Sequence, residues 1–155
     1  MSHVPSQTLT VLENDLELKK YSVSTAFLGV GEERNSFKTP RGKHIIRAKI
    51  GKDAPHNAVF VGRRWTGEIY SPELKKQFPD RDWMLTRILW LSGLEVGKNR
   101  LGLCDSMQRY IYIHGSPDES QMGVPISHGC IRMRNSDIIE LFDWVPAGIT
   151  IMIEE

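Results

Sequence analysis

Cysteine is the scarcest reactive residue in this chain: only Cys104 and Cys130 occur among 155 residues. Two thiols do not make a disulfide framework, so nothing in the sequence demands an oxidising compartment. Long apolar runs are missing too. None approaches the roughly 18 residues that cross a bilayer as a helix, so no helical membrane span is expected. The opening residues, MSHVPSQTLTVLEND, have no basic segment followed by an apolar core. No secretory leader is legible there, and a cytoplasmic location is the expectation, with the periplasm as the alternative if the native chain carries a leader. An excess of either charge is also absent: 20 basic and 19 acidic residues leave a formal charge of +1. That balance removes the electrostatic case for nucleic acid or a membrane surface as a partner. The pairs Arg63–Arg64 and Lys75–Lys76 read as solvated faces. No repeat, linker or low-complexity segment divides the chain, and its length suits one domain over residues 1–155 with a core of its own.

What is present is mostly strand pattern. Thr8 to Leu12 and Leu16 to Lys19 alternate around Glu13-Asn14-Asp15, which predicts a hairpin, and Tyr21 to Phe27 continues in β-type residues. Gly29-Val30-Gly31 lacks a third glycine and a following helix, so it is a turn and not a dinucleotide loop. Thr39-Pro40-Arg41-Gly42 reads as a surface turn, with Pro40 fixing φ and Gly42 free to take a positive one, leading into a strand from His44 to Ala48. Val59 to Gly62 is a short buried strand, and Ser71 caps a short helix to Gln77. Trp83 to Leu91 is a core strand. In Arg109 to Gly115 the alternation sets Tyr110, Tyr112 and His114 on one face and Ile111 and Ile113 on the other, the isoleucines towards the core. Asn135-Ser136-Asp137 is expected to cap a helix ending near Trp144, and Ile149 to Ile153 makes a last strand. Strands dominate without a βαβ rhythm, which predicts a mainly β or α+β domain, a sandwich or partly open barrel with short peripheral helices.

Chemistry concentrates in Ile126-Ser127-His128-Gly129-Cys130-Ile131-Arg132-Met133-Arg134. Cys130 has a preceding glycine, a nearby imidazole and two guanidinium groups, surroundings that lower a thiol pKa and expose a nucleophile. The competing reading is a small buried hydrophobe. His114 ends a strand 16 residues earlier, a span whose ends can meet at small entropic cost. As a pair, His114 accepts the thiol proton and Cys130 attacks a carbonyl. A backbone carbonyl near Gly115 is the candidate to hold the imidazole, and the N–H groups of Gly129 and Cys130 are candidates for an oxyanion hole. His128, two residues from Cys130, is expected to hydrogen-bond within its loop, with a base role as the alternative. Arg132 either binds a substrate carboxylate or is solvated, and Arg134 is expected to be exposed. A zinc site from His114, His128, Cys130 and Cys104 has the right atoms without the usual spacing, and a Cys104–Cys130 redox pair lacks its spacing as well. A non-catalytic peptide-binding module using Arg132 and the tyrosines, with Cys130 idle, also remains open.

The run ISHGCIRMRNSD, preceded by YIYIHGS, resembles the active-site signature of the L,D-transpeptidase catalytic-domain family, and Thr39-Pro40-Arg41-Gly42 resembles that family's upstream element. The likeness covers about Thr8 to Ile153 with no departure between its boxes, although Gly115 follows the histidine where some members carry serine. The resemblance implies a β-sandwich-like domain with Cys130 as the acylated nucleophile and His114 as its base. It implies that Gly129, Cys130 and Gly115 form the loop and oxyanion region, with Arg132, Ser127, His128 and Tyr112 lining the substrate pocket and no cofactor or metal. The implied substrate is a peptidoglycan stem peptide or soluble muropeptide, cut between the L-centre of a diamino acid and D-alanine, with carbapenem-type β-lactams as covalent inhibitors. Transfer of the acyl group to water would make the enzyme an L,D-carboxypeptidase of wall recycling, and transfer to an amine an L,D-transpeptidase forming 3→3 cross-links. The legible absence of a leader or wall-binding segment favours the first.

Overall fold

The computed structural model describes residues 1–117 and 120–155. Its strands are β1 (Ser2–His3), β2 (Thr8–Glu13), β3 (Leu16–Ser24), β4 (Gly42–Ile50), β5 (Ala58–Val61), β6 (Arg64–Ile69), β7 (Met84–Gly93), β8 (Tyr112–Ser116), β9 (Ile131–Arg134) and β10 (Thr150–Glu154), with two helices, α1 (Pro72–Gln77) and α2 (Asn135–Trp144). Along the hydrogen bonds the order is β4, β10, β1, β2, β3, β9, β8, β7, and β7 then pairs back with β4. The ladder thus closes on itself, while the β5–β6 hairpin hangs from β7. A mainly β domain with two short helices is what the sequence pattern predicts.

The central strand is β7. Its sequence MLTRILWLSG is almost continuously buried, the polar Thr86 and Arg87 included, and it pairs with β4, β5 and β8. Inside the closed ladder Leu89, Leu91, Ile113, Ile131 and Met133 meet Ile138, Leu141 and Phe142 of α2. Those three helix positions recur at i, i+3 and i+4, which places one stripe of α2 against the strands. The helix is therefore part of the main core and not peripheral to it. A second cluster, Ala58, Phe60, Ile88 and Tyr112, with Trp90 and Cys130 at its edge, covers the opposite face of β8. Tyr112 and Ile113 do point to opposite faces as the alternation predicts, but both faces are buried.

Several local readings hold and some do not. Ser71 caps α1, its Oγ accepting the Leu74 N–H at 3.1 Å. The hairpin turn between β5 and β6 has Gly62 and Arg63 both at positive φ, +57° and +63°, as a two-residue turn between right-twisted strands requires. Arg63 is not a solvated charge: it lies 4.4 Å over the Trp90 ring and 5.1 Å over Tyr110, and donates to Tyr112 Oη at 3.2 Å. Asn135 is not a cap either. It is fully buried, accepts from Thr86 Oγ1 at 2.7 Å and donates to Asn57 Oδ1 at 2.8 Å, while the helix starts after Arg134 without a side-chain cap. Replacing Leu89, which has no exposed surface, with alanine should lower stability by about 2–5 kcal/mol. Chemical denaturation at unchanged m-value measures it.

Candidate active site

Strands β8 and β9 run parallel, with Ile113 beside Ile131, His114 beside Arg132 and Gly115 beside Met133. Alternation then gives the two strands a shared face carrying Tyr112 and His114 on one and Arg132 on the other, with Cys130 one residue before β9 beside Tyr112. This is how residues distant in sequence become neighbours. The isoleucines and Met133 face the core and hold the register, because a one-residue slip would exchange the two sets.

His114 has no exposed surface. Its Nδ1–H donates to the Gly115 carbonyl at 2.6 Å, so the backbone acceptor expected from the sequence is in place and Nε2 is left with the lone pair. Nε2 is buried and has no hydrogen-bond partner among the described residues. Burial holds the imidazole pKa below its ordinary value, against smaller upward pulls from the Asp82 charge and the Gly115 carbonyl. The ring is neutral at pH 7, in the tautomer a general base needs.

Cys130 departs from expectation. Its thiol pKa is pushed up to about 12, chiefly by desolvation, with the Asp82 carboxylate adding to the rise. The Tyr112 N–H, 3.4 Å from Sγ, and the charges of Arg132 and Arg109 pull it down by less. The guanidinium groups do not activate the thiol as the sequence suggested, because desolvation outweighs the pull of Arg132 and Arg109, and Arg132 Nη2 is paired with Asp82 Oδ1 at 3.0 Å. Arg134 is exposed, as expected, and faces Asp137 at 3.8 Å. His114 Nε2, being without a partner, makes no hydrogen bond to Cys130. At rest the site holds a neutral thiol and a neutral imidazole on one face, two rungs apart with the Ile113–Ile131 rung between them.

The loop before Cys130 is held from both sides. Ser127 Oγ donates to the Cys130 carbonyl at 2.6 Å and accepts the Gly129 N–H at 3.2 Å. The Ser127 hydroxyl therefore braces the backbone, and the Gly129 N–H is not open to an oxyanion. Gly129 sits at φ +131°, and its carbonyl accepts from Thr39 Oγ1 at 2.9 Å. The turn carrying Thr39, read from sequence as a surface loop, is thus part of the site. Sequence reasoning also missed Arg109, which donates to the Lys38 carbonyl at 2.7 Å, and Asp82. Only the Thr-Pro-Arg-Gly run carried a signal for this part.

The remaining candidates separate. Gly115 contributes its carbonyl, and a Cβ there would collide with the Asn135 side chain and the Leu85 carbonyl. Tyr112 is buried, its Oη taken by Arg63. His128 is exposed and meets Phe37 edge-on at 6.3 Å, and among the described residues this ring contact stands in place of the expected hydrogen bond inside its loop. Around it an apolar cleft of about 460 Å³ is lined by Phe27, Leu28, Phe37 and Ile126. Ile126 also borders a second cleft, of about 380 Å³, where Arg132 lies with Lys75, Arg81 and Trp83. An apolar cavity of about 490 Å³ between Leu9, Ile46 and Ile151 contains none of these residues. Cys104 is a free thiol in a 3₁₀ turn, bonded to the Leu101 carbonyl, and among the described residues no three His, Cys, Asp or Glu side chains converge.

Comparison with known proteins agrees with this geometry. Residues 2–153 match the model of the L,D-transpeptidase catalytic domain, the YkuD family. A Salmonella typhimurium protein named "Probable L,D-transpeptidase ErfK/SrfK" is 47% identical over 109 residues, which is 68% of this chain and 34% of that protein. The Escherichia coli K12 protein named "Probable L,D-transpeptidase YbiS" is 32% identical over 103 residues, 64% of this chain and 33% of its own. The chain thus spans about a third of the length of these curated relatives. Among solved structures, an L,D-transpeptidase from Mycobacterium smegmatis superposes with a TM-score of 0.57 at 20% identity, covering 99% of this chain and 57% of that one. L,D-transpeptidase 3 from Mycobacterium tuberculosis, in complex with a faropenem-derived adduct, gives 0.59 at 16%, covering 99% and 58%. Identities this low establish the fold.

The raised thiol pKa has a direct readout. With the folded value near 12 instead of the ordinary 9.0, the thiolate fraction is small at neutral pH and grows about tenfold per pH unit. Alkylation of Cys130 by iodoacetamide should therefore climb from pH 7 to 9 without levelling off. A plateau below pH 8 would mean a thiolate already formed at rest.

Proposed function

The chain belongs to the L,D-transpeptidase catalytic-domain family, and from that we propose that it cleaves peptidoglycan stem peptides through an acyl-enzyme on Cys130. The observation that carries this reading is the shared face of β8 and β9. It combines a neutral imidazole with Nε2 free to accept a proton and a neutral thiol two rungs away on the same face.

Because the thiol is neutral, attack and proton removal are coupled. His114 Nε2 takes the thiol proton as sulfur bonds to the carbonyl carbon after the L-centre of the diamino acid, and the carbonyl electron pair moves onto oxygen. When the intermediate collapses, the C–N bond breaks and the imidazolium returns its proton to the departing D-alanine amine. The thioester is then resolved by water, which His114 can deprotonate in the same way. We favour trimming of tetrapeptides to tripeptides, with soluble muropeptides of the cytoplasm as substrate. The alternative is capture by the amine of a second stem peptide, which forms a 3→3 cross-link. Support for β-lactam sensitivity comes from the faropenem-derived adduct on the Mycobacterium tuberculosis enzyme.

Incubation with a disaccharide tetrapeptide should release D-alanine and tripeptide, and Cys130→Ala should abolish this while thermal unfolding stays near that of the unaltered chain. Intact-protein mass spectrometry after a carbapenem should show an adduct on Cys130. An unmodified mass and no D-alanine would instead fit a non-catalytic peptide-binding module. Dominant cross-linked dimer, at several acceptor concentrations, would shift the reading to transpeptidation, and fractionation of the native cells would decide between cytoplasm and periplasm. Arg132 should act on capture: Arg132→Ala is expected to weaken substrate binding by about 1.5–3 kcal/mol, and Arg132→Lys to restore only part of it. An effect on kcat alone would place Arg132 at the transition state instead.

A further inference from the structure

Thr39 is fully buried, yet it belongs to neither strand that carries the reacting groups. Its hydroxyl is used in both directions: Oγ1 donates to the Gly129 carbonyl at 2.9 Å and accepts the Ala26 N–H at 3.0 Å. A hydroxyl specified in this way has no freedom to rotate. The preceding residue is held as well, since the Lys38 carbonyl accepts from Arg109 Nη2 at 2.7 Å.

The bond to Gly129 has a consequence one atom further on. Among the described residues no peptide bond is cis, and across a trans peptide the carbonyl and the following N–H point in opposite directions. Holding the Gly129 carbonyl towards Thr39 therefore turns the Cys130 N–H away from it. On the other side Ser127 fixes the next carbonyl, that of Cys130, at 2.6 Å. Of the N–H groups near the sulfur, that of Gly129 is taken by Ser127 Oγ and that of Tyr112 points at Sγ. The Cys130 N–H makes no backbone hydrogen bond among the described residues.

We propose that Thr39 is a positioning residue: by clamping the Gly129 carbonyl, its hydroxyl aims the Cys130 N–H as the donor to the developing oxyanion. The proposal rests on the acyl-enzyme reading. When the S–C bond forms and the carbonyl pair moves onto oxygen, that oxygen receives the Cys130 N–H, while the thiol proton goes to His114 Nε2. When the C–N bond breaks, the pair returns to the carbonyl and the hydrogen bond weakens. The donor thus acts mainly where charge develops.

The test compares two reactions at the same sulfur in the full chain. Acylation by imipenem, followed by intact mass, passes through an oxyanion. Alkylation by iodoacetamide does not. Thr39→Val keeps the side-chain shape and removes the hydroxyl. It should slow acylation about 10–100-fold, short of losing the donor outright, and leave alkylation within about twofold. Thr39→Ser should restore acylation to within a few-fold of the unaltered chain. Equal slowing of both reactions would make Thr39 a support for the thiol alone, and unchanged acylation would remove its role; either overturns the proposal. Should Thr39→Val fail to fold, judged by its thermal transition, Thr39→Ala replaces it in the same pair of reactions, with the same rates expected and the same results overturning the proposal. If the unaltered chain is acylated by neither imipenem nor a tetrapeptide, the acyl-enzyme reading fails first, an outcome distinct from a loss confined to the Thr39 variants.

Discussion

The parallel pairing of β8 with β9 is the constraint on which the site depends. Parallel strands cannot be joined by a tight turn, so the chain must leave β8 and travel through a connection before returning beside it. The register that results is enforced by the core, not by the reactive groups. Ile113, Ile131 and Met133 are without exposed surface, and burying side chains of this size contributes about 1.5–3 kcal/mol each. A slip of one residue would forfeit that burial and turn Cys130 and Arg132 towards the ring interior. Hydrophobic packing on one face therefore sets the relative positions of Cys130 and His114 on the other.

The same burial decides where the proton rests. Desolvation disfavours whichever form is charged, so it raises the thiol and lowers the imidazole. Both effects keep the proton on sulfur and disfavour an ion pair between the two. The nearby cations do not reverse this. Arg132 is compensated by Asp82, and Arg109 spends its donors on the Gly31 and Lys38 carbonyls and Ser36 Oγ. Both groups therefore rest uncharged in the structure.

Much of this was legible in the sequence where the information is local. The alternation of Tyr112, Ile113 and His114, the hairpin at Asn14–Asp15 and the Ser71 cap each depend on neighbours within a few residues and are found in place. The strand expected from Arg109 with His114 at its end, however, begins only at Tyr112, after Tyr110 at φ +55°, and runs on to Ser116. What was not legible depends on partners far along the chain. The pairing of β4 with β7 that closes the ladder joins segments about forty residues apart and leaves no mark on either. Strand β6, RWTGEI, is largely exposed and has no alternating apolar side to betray it. Arg63 looked solvated because its aromatic partners, Trp90 and Tyr110, lie elsewhere in the chain. Asn135 looked like a cap because its residue type favours one, and only the fold supplies Thr86 and Asn57 as its partners. The thiol pKa was misjudged for a related reason: sequence shows which charges are near, but not that burial outweighs them.

Behind the imidazole the fold accepts strain to keep the Gly115 carbonyl in place. Thr86 lies where the β7–β8 register shifts and takes φ +74°, a conformation that β-branched residues avoid at a cost of about 1–3 kcal/mol. Its hydroxyl is held at both ends, accepting the Asn57 N–H at 3.1 Å and donating to Asn135 Oδ1 at 2.7 Å. Asn135 in turn occupies the space a side chain at 115 would need, which explains why glycine stands there. Because no Cβ intervenes, the amide of α2 and the backbone of β7 close directly on the Gly115 segment whose carbonyl receives His114 Nδ1–H. The tautomer of His114 follows from a carbonyl whose segment is fixed by packing on three elements, and not from any carboxylate.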